Sequence, residues 1–202
     1  CAIPLLEYAA VWVTGTRIRF LLGDWLIGIM INTSSSMPNV RFSVNFEHTD
    51  YFESGCDNIE FYIATNAGEP LKPLAKIASG GELSRIMLSI KNVLADKDEV
   101  GTLIFDEVDT GISGAAAQKV GKKLKQVSKG RQIICVTHLA QVAAFADNHL
   151  LISKATENER TFTSVTSLDK EGRICELARI MGGEITDSLK NSAKELLEAS
   201  NC

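Results

Sequence analysis

Two stretches after residue 39 alternate apolar and polar residues, and this period of two predicts a pair of antiparallel strands. The stretches are 40–46 and 58–64, and the polar segment 47–57 is expected to join them as a loop. Both strands are expected to be half-exposed, because every second position is polar. The apolar positions that share one face of each strand are Phe42, Val44, Phe46 and Ile59, Phe61, Ile63.

The period changes further along the chain, where short apolar runs alternate with segments of helical spacing. Apolar positions from Leu83 onward predict a helix that ends at about residue 95. Residues 101–146 then have the order strand, helix, strand, helix, which predicts right-handed crossovers and a largely parallel sheet of the α/β class. The remaining predicted elements are a hairpin of strands 149–155 and 160–168 and two helices, 173–181 and 186–199.

The first 36 residues do not follow these patterns. Residues 18–31 are the most apolar run of the chain, but they number 14 and include Asp24, whereas a membrane span needs ~20 mostly apolar residues. A signal peptide is disfavoured, because 17 residues precede the run and no small-x-small cleavage site follows it. Residues 1–36 stay unassigned, with a buried strand, a short helix and foreign sequence all open.

Composition narrows the class of protein. The chain has 202 residues, of which 45% are hydrophobic and 23% charged, enough for one well-buried core. A net charge of −4 argues against indiscriminate coating of nucleic acid, although a local basic patch stays possible. The cysteines show no C-x-x-C pair and fit a reducing cytosol. They are Cys1, Cys56, Cys135, Cys175 and Cys202.

Two predicted strands end in polar residues that could carry chemistry. Asp106 and Glu107 end the first, and Thr137 and His138 end the second. In parallel α/β sheets, ligands collect at the carboxyl ends of the strands. Asp106 is suited to hold a magnesium ion, and Glu107 is suited to orient and deprotonate an attacking water. The acid pair alone could equally cap the next helix.

Ser79, Gly80 and Gly81 directly precede the first predicted helix. Small residues and open backbone N–H groups at a helix start favour an anion such as phosphate. An ordinary helix N-cap would explain the same three residues.

Four motifs follow one another in order: "ASGGELSR", "TLIFDE", "VDTGISG" and "CVTH". The series resembles the signature motif, Walker B strand, D-loop and switch histidine of ABC-type ATPase heads. Glu82, and Val108 with Asp109 after the acid pair, differ from the SGGQ and DEPT of transporter heads. From about Met37 to the end, "NAGEPLKPLAKIASGGELSRIMLSIKNVLA" and "VTHLAQVAAFAD" closely resemble the C-terminal half of the RecN family, SMC-like bacterial ATPases of DNA double-strand-break repair.

The resemblance implies a composite site for ATP and Mg²⁺ between two heads. Residues 79–81, with Glu82, would face the γ-phosphate bound on the opposite head. Asp109 would communicate between the two sites, and His138 would contact the γ-phosphate or the attacking water. Asp106 would serve the metal and Glu107 the water.

The resemblance also implies partners and a location. It implies a second head in a homodimer, DNA bound through the complete protein, and a cytoplasmic protein of the bacterial nucleoid without membrane contact. The 202 residues contain no G-x-x-x-x-G-K-[ST] phosphate loop. Residues 37–202 are therefore expected to be the C-terminal lobe of an ABC/SMC-type head, and the chain a fragment without the N-terminal Walker A lobe.

Two other functions stay open. A non-enzymatic dimerisation or DNA-holding lobe is the main alternative, and a transporter ATPase is less favoured. Basic side chains in 118–131 could touch DNA phosphates, but a solvated helix face is the favoured interpretation. They are Lys119, Lys122, Lys123, Lys125, Lys129 and Arg131.

Overall fold

The computed structural model describes residues 13–14, 17–18, 39–52, 55–77, 79–94, 100–157 and 160–200. The chain divides into two units, Cys1–Asp96 and Lys97–Cys202. In the N-terminal segment, β1 (Val13–Thr14) pairs antiparallel with β2 (Arg17–Ile18). The other expectations for residues 1–36 lie outside the described residues.

The first unit contains the predicted hairpin. β3 (Arg41–Phe52) and β4 (Gly55–Ala64) pair antiparallel, and the expected apolar faces meet, with Phe42 opposite Ile63 and Val44 opposite Phe61. The expected loop 47–57 is wrong, because most of it belongs to the two strands. An exposed hairpin needs no apolar face, so polar and β-branched residues continue its ladder beyond the apolar pattern.

The first unit continues into a helix that begins directly after Ser79. β5 (Lys72–Pro73) pairs with β4, and a 3-10 turn (Leu74–Lys76) leads to α1 (Gly80–Val93). Ile86 of α1 packs with Val40 and Ile63 in a buried cluster. The helix is therefore attached to the hairpin through its apolar face.

The second unit contains a parallel strand pair. β6 (Thr102–Phe105) and β7 (Gln132–Cys135) are parallel in register and are connected by α2 (Gly114–Val127), as the alternating pattern predicts. The buried face of α2 carries Ala117, Val120, Gly121, Leu124 and Val127. β6 and β7 are the only parallel pair among the described strands, and the other strand pairs are antiparallel.

The rest of the second unit packs helices beside the second hairpin. α3 (Ala140–Ala143) is shorter than the predicted 139–146. β8 (His149–Glu157) and β9 (Arg160–Leu168) form the predicted hairpin, followed by α4 (Lys170–Gly182) and α5 (Asp187–Ser200). Residues of α3, α4 and α5 share one apolar cluster. None of the helices in the described ranges is long and apolar enough to cross a membrane.

Candidate functional site

The polar residues after β6 and β7 lie side by side, because the two strands are parallel neighbours. Beyond the last paired residues of the ladder, Val136 donates its backbone N–H to the carbonyl oxygen of Phe105 at 2.9 Å. The strands therefore stay in register up to the point where Asp106 and Thr137 follow. Residues 106–109 and 137–138 make up the strand-end cluster.

Asp109 is the centre of the strand-end cluster. The residue is 1% exposed, and its Oδ2 accepts hydrogen bonds from the Thr137 hydroxyl at 2.5 Å and from the His138 backbone N–H at 3.0 Å. A buried carboxylate is stable only when such donors replace water. Asp109 thus fixes the loop after β7 to the loop after β6, in a contact that spans 29 residues of sequence.

The His138 ring lies against the same carboxylate. Its Nδ1 is 3.3 Å from Oδ2 of Asp109, while 72% of its side chain is exposed. The Thr137 hydroxyl also accepts the Leu139 backbone N–H at 3.1 Å. The ring is therefore oriented from its Nδ1 side and remains accessible from solvent.

Asp106 and Glu107 are both exposed at the end of β6. Oδ1 of Asp106 accepts the backbone N–H of Glu107 at 2.8 Å. Glu107 has a φ of +57°, the one positive φ among the described non-glycine residues. Such backbone conformations cost free energy and concentrate at functional sites. A tight turn thus presents both carboxylates to solvent.

Burial and the charges of Asp109 and Asp106 affect the pKa of the thiol of Cys135, the last residue of β7. Burial, and then the charges of Asp109 and Asp106, raise the pKa of this thiol to about 12. Its thiolate is therefore scarce at neutral pH, which disfavours this partly buried side chain as a nucleophile.

In the first unit, Ser79 is the N-cap of α1. Its Oγ accepts the backbone N–H of Glu82 at 3.4 Å, and its carbonyl accepts the N–H of Leu83 at 3.0 Å. Gly80 is exposed and Gly81 is buried. The Ser79 side chain thus takes part in an ordinary N-cap, beside an exposed glycine at the positive end of the helix dipole.

The structure brings together Asp106, Glu107, Asp109 and His138 within the second unit, whereas residues 79–82 belong to the first unit. The sequence interpretation did not predict that Asp109 is buried, nor that the Thr137 hydroxyl binds it. The sequence signal for the burial of Asp109 is the preceding Val108, an apolar residue directly after the acid pair. Val108 is fully buried, so the segment that carries Asp109 turns inward.

The residues at the end of β6 fit a magnesium ion. Mg²⁺ prefers one or two carboxylate ligands and keeps several waters. Asp106 offers an exposed carboxylate oxygen as such a ligand, while the equally exposed Glu107 beside it stays available for a water molecule. The accessible setting leaves room for water and phosphate oxygens.

The chain is similar to curated bacterial proteins. It is 48% identical over 168 residues to the DNA repair protein RecN of Halalkalibacterium halodurans, covering 80% of this chain and 30% of that protein. It is 49% identical over 159 residues to the DNA repair protein RecN of Bacillus subtilis, covering 78% of this chain and 28% of that protein. The chain belongs to the RecN family.

The match concerns part of a RecN protein, since the chain spans about 30% of the length of these relatives. No protein-family model matches the chain. Among solved structures, the Smc head domain with a coiled coil and joint from Pyrococcus yayanosii is similar. The TM-score is 0.54 at 20% identity, over 89% of this chain and 29% of that one. The α/β fold predicted for this RecN-family chain is thus that of an SMC-type head.

Proposed function

We propose that this chain is the C-terminal lobe of an ATPase head in a RecN-type DNA repair protein. The observation that carries the proposal is the strand-end cluster, in which Asp106, Glu107, Asp109 and His138 meet at the carboxyl ends of two parallel strands. ATP hydrolysis needs this combination of a metal ligand, a base for water and an oriented polar side chain.

Each side chain has one role. Asp106 holds Mg²⁺, which supplies positive charge to the phosphates when bound. Glu107 orients the attacking water and takes its proton. His138 contacts the γ-phosphate or that water through the exposed part of its ring. Asp109 keeps His138 in position and transmits changes between the two loops.

The signature residues act on a second head. Ser79, Gly80, Gly81 and Glu82 start α1, where small side chains let backbone N–H groups approach a phosphate closely. In our proposal they contact the γ-phosphate of ATP bound to the other head of a homodimer. ATP therefore joins two heads, and its hydrolysis separates them while the complete protein holds DNA.

An exposed apolar sheet face supports the presence of another lobe in the working head. Ile104, Ile134 and Val136 lie on one side of the β6–β7 pair, with exposed fractions of 70%, 43% and 50%. Parallel sheets are normally covered on both faces. We propose that an N-terminal lobe with the Walker A phosphate loop covers this side. The complete protein is then expected to be cytoplasmic and associated with the bacterial nucleoid.

A non-enzymatic dimerisation or DNA-holding lobe is the second candidate. The lack of a phosphate loop in the 202 residues favours it for this chain in isolation. Lys119, Lys122 and Lys129 are exposed on α2 or just beyond it and are accessible to DNA phosphates, although we favour a solvated helix face for them.

The two candidate functions differ in the ATP hydrolysis expected when a Walker A lobe is added to this chain. The chain alone is expected to bind ATP weakly and to hydrolyse it negligibly, whereas addition of a RecN N-terminal lobe should restore both activities. Isothermal titration and a phosphate-release assay measure the two quantities. Low-micromolar ATP binding by the chain alone contradicts the assignment of phosphate binding to a separate Walker A lobe. A reconstituted head that binds ATP without hydrolysing it favours the non-enzymatic lobe.

A further inference from the structure

Three metal-ligating side chains meet near the far end of the β3–β4 hairpin. They are His48, Cys56 and Asp57, and their ligand atoms all lie within 4.8 Å of one another. His48 and Asp57 are paired across the strands, and His48 Nδ1 is 3.3 Å from Asp57 Oδ1. The cluster belongs to the first unit, whereas the strand-end cluster belongs to the second.

A ladder irregularity explains why neighbouring residues of β4 can share one site. Side chains at adjacent strand positions normally point to opposite faces. Between the pairs His48–Asp57 and Phe52–Gly55, residues 49–51 of β3 oppose Cys56 alone. Thr49 reaches across the irregular segment, donating its hydroxyl to the Cys56 carbonyl at 3.3 Å. Bulged ladders re-aim side chains in this way.

We propose that His48, Cys56 and Asp57 form a binding site for Zn²⁺, with the fourth position open to water. A tetrahedral zinc ion with bonds of about 2.0–2.3 Å holds neighbouring ligand atoms roughly 3.3–3.8 Å apart. The distance between His48 Nδ1 and Asp57 Oδ1 already meets this requirement. The Cys56 sulfur needs a shift of no more than about 1.3 Å to reach the ~3.5 Å expected between a thiolate and a nitrogen or oxygen ligand, and a side-chain rotation supplies it.

The ligand set selects zinc over the hard cations. Thiolate and imidazole suit Zn²⁺, whereas Mg²⁺ and Ca²⁺ require oxygen ligands. Cys56 is 6% exposed, so a metal–sulfur bond there would be shielded from water. His48 and Asp57 are more accessible, with side chains 51% and 21% exposed. They leave an entry path from solvent to the buried sulfur.

The surrounding charge also favours a cation. Between Arg41 and Lys72 the sequence contains no lysine or arginine. The same segment contains six carboxylates: Glu47, Asp50, Glu53, Asp57, Glu60 and Glu69. A surface of one sign raises the local concentration of the opposite ion. A bound zinc ion would fix the two strands where their ladder is irregular.

Cobalt substitution tests the site directly on the 202-residue chain. Co²⁺ should give visible d–d bands and a near-ultraviolet thiolate-to-metal band, and Zn²⁺ should displace it while excess Mg²⁺ does not. Cys56→Ser should remove the thiolate band, and the matched change Cys175→Ser should keep it. A thiolate band that persists in Cys56→Ser, or no Zn²⁺-displaceable spectrum, overturns the proposal.

Two ligand positions outside the buried core keep the test independent of core folding. His48→Gln and Asp57→Asn should each weaken Zn²⁺ binding at least ~10-fold, because each removes a direct ligand. Asp50→Asn removes a nearby exposed charge and should change the affinity far less. Equal affinities of the wild-type, His48→Gln and Asp57→Asn chains contradict the assignment.

Discussion

The proposed signature loop, residues 79–82 at the start of α1, and the strand-end cluster after β6 and β7 are held in different ways. Ser79 bonds to its own helix, with its Oγ accepting from Glu82 three residues away. Asp109 instead bonds to Thr137 and His138, which are 28 and 29 residues away. The first is a local structure within a single helix start, whereas the second exists only when two strands have been paired.

This difference has a consequence for function. In the strand-end cluster, the orientation of His138 depends on a buried carboxylate from another loop, so a change at one residue reaches the others. In the signature loop, a substitution should disturb the helix start and whatever approaches it from outside. Substitutions at these residues therefore separate the two kinds of support.

The largest effect is expected for Glu107→Gln in a complete RecN-type protein. Glutamine keeps the size and hydrogen bonding of the side chain but cannot take a proton. ATP should still bind and close the heads, while turnover falls by roughly 10²- to 10⁴-fold, the usual contribution of a general base. Steady-state hydrolysis and ATP-dependent dimerisation measure the two properties.

Asp106→Asn is the matched control for Glu107→Gln. It should weaken magnesium-dependent ATP binding itself, because a hard cation prefers a charged oxygen. If Glu107→Gln leaves turnover near normal, or prevents closure on ATP, the roles of the two carboxylates are misassigned.

The second effect is expected for Ser79→Arg, also in a complete protein. The arginine should clash with the phosphate shared by two heads and weaken ATP-dependent pairing by about 10²-fold or more, equivalent to ~2.7 kcal/mol. Binding of ATP to a single head should remain nearly intact, because the phosphate loop lies elsewhere. Analytical ultracentrifugation with ATP gives the pairing, and wild-type dimerisation by the variant would contradict the role across the dimer.

The third effect is expected for Asp109→Ala, measured on the isolated chain. Removing the carboxylate leaves the Thr137 hydroxyl and the His138 N–H without their acceptor, at a cost of about 2–3 kcal/mol in the free energy of unfolding. Asp109→Asn keeps one acceptor oxygen and should cost less. Urea denaturation provides the comparison, and equal losses for the two variants would show that the hydrogen bonds are not the cause.

The smallest effect is expected for Ser79→Ala. Loss of an N-cap oxygen typically costs ~1 kcal/mol, and the long 3.4 Å hydrogen bond favours the lower part of that range. Ser113, the N-cap of α2, forms no side-chain capping bond and provides the control, since Ser113→Ala should cost less. A loss at Ser79 as large as that for Asp109→Ala would remove the distinction between local and long-range support.

Much of the fold follows from periodicity. The pairing of Phe42 with Ile63 in β3 and β4 follows from alternating apolar residues, because a slip by one position would turn every apolar side chain to the other face. The turn end of that hairpin was mispredicted because polar residues can continue an exposed ladder without an apolar signal. The length of α3 was overpredicted for a related reason: every residue of "LAQVAAFA" except Gln141 is apolar, so the pattern does not indicate where the helix ends.

The candidate site was predictable only in part. A run of apolar residues that ends in Asp106 and Glu107 predicts carboxylates at a strand end, and the structure has them there. The burial of Asp109 could not be predicted in this way. It depends on donors from a loop 28 residues further along, which only the parallel pairing brings within reach.

At Glu107, the left-handed backbone conformation lowers stability, while the glutamate side chain is the one that the proposed activity needs. At a φ of +57°, a glutamate is strained where asparagine is tolerated. Glu107→Asn is therefore expected to relieve strain of about 1 kcal/mol while removing the proposed base from the reach of its water. A laboratory selection for thermal stability alone would tend to replace this glutamate and produce a more stable protein without the proposed ATPase activity.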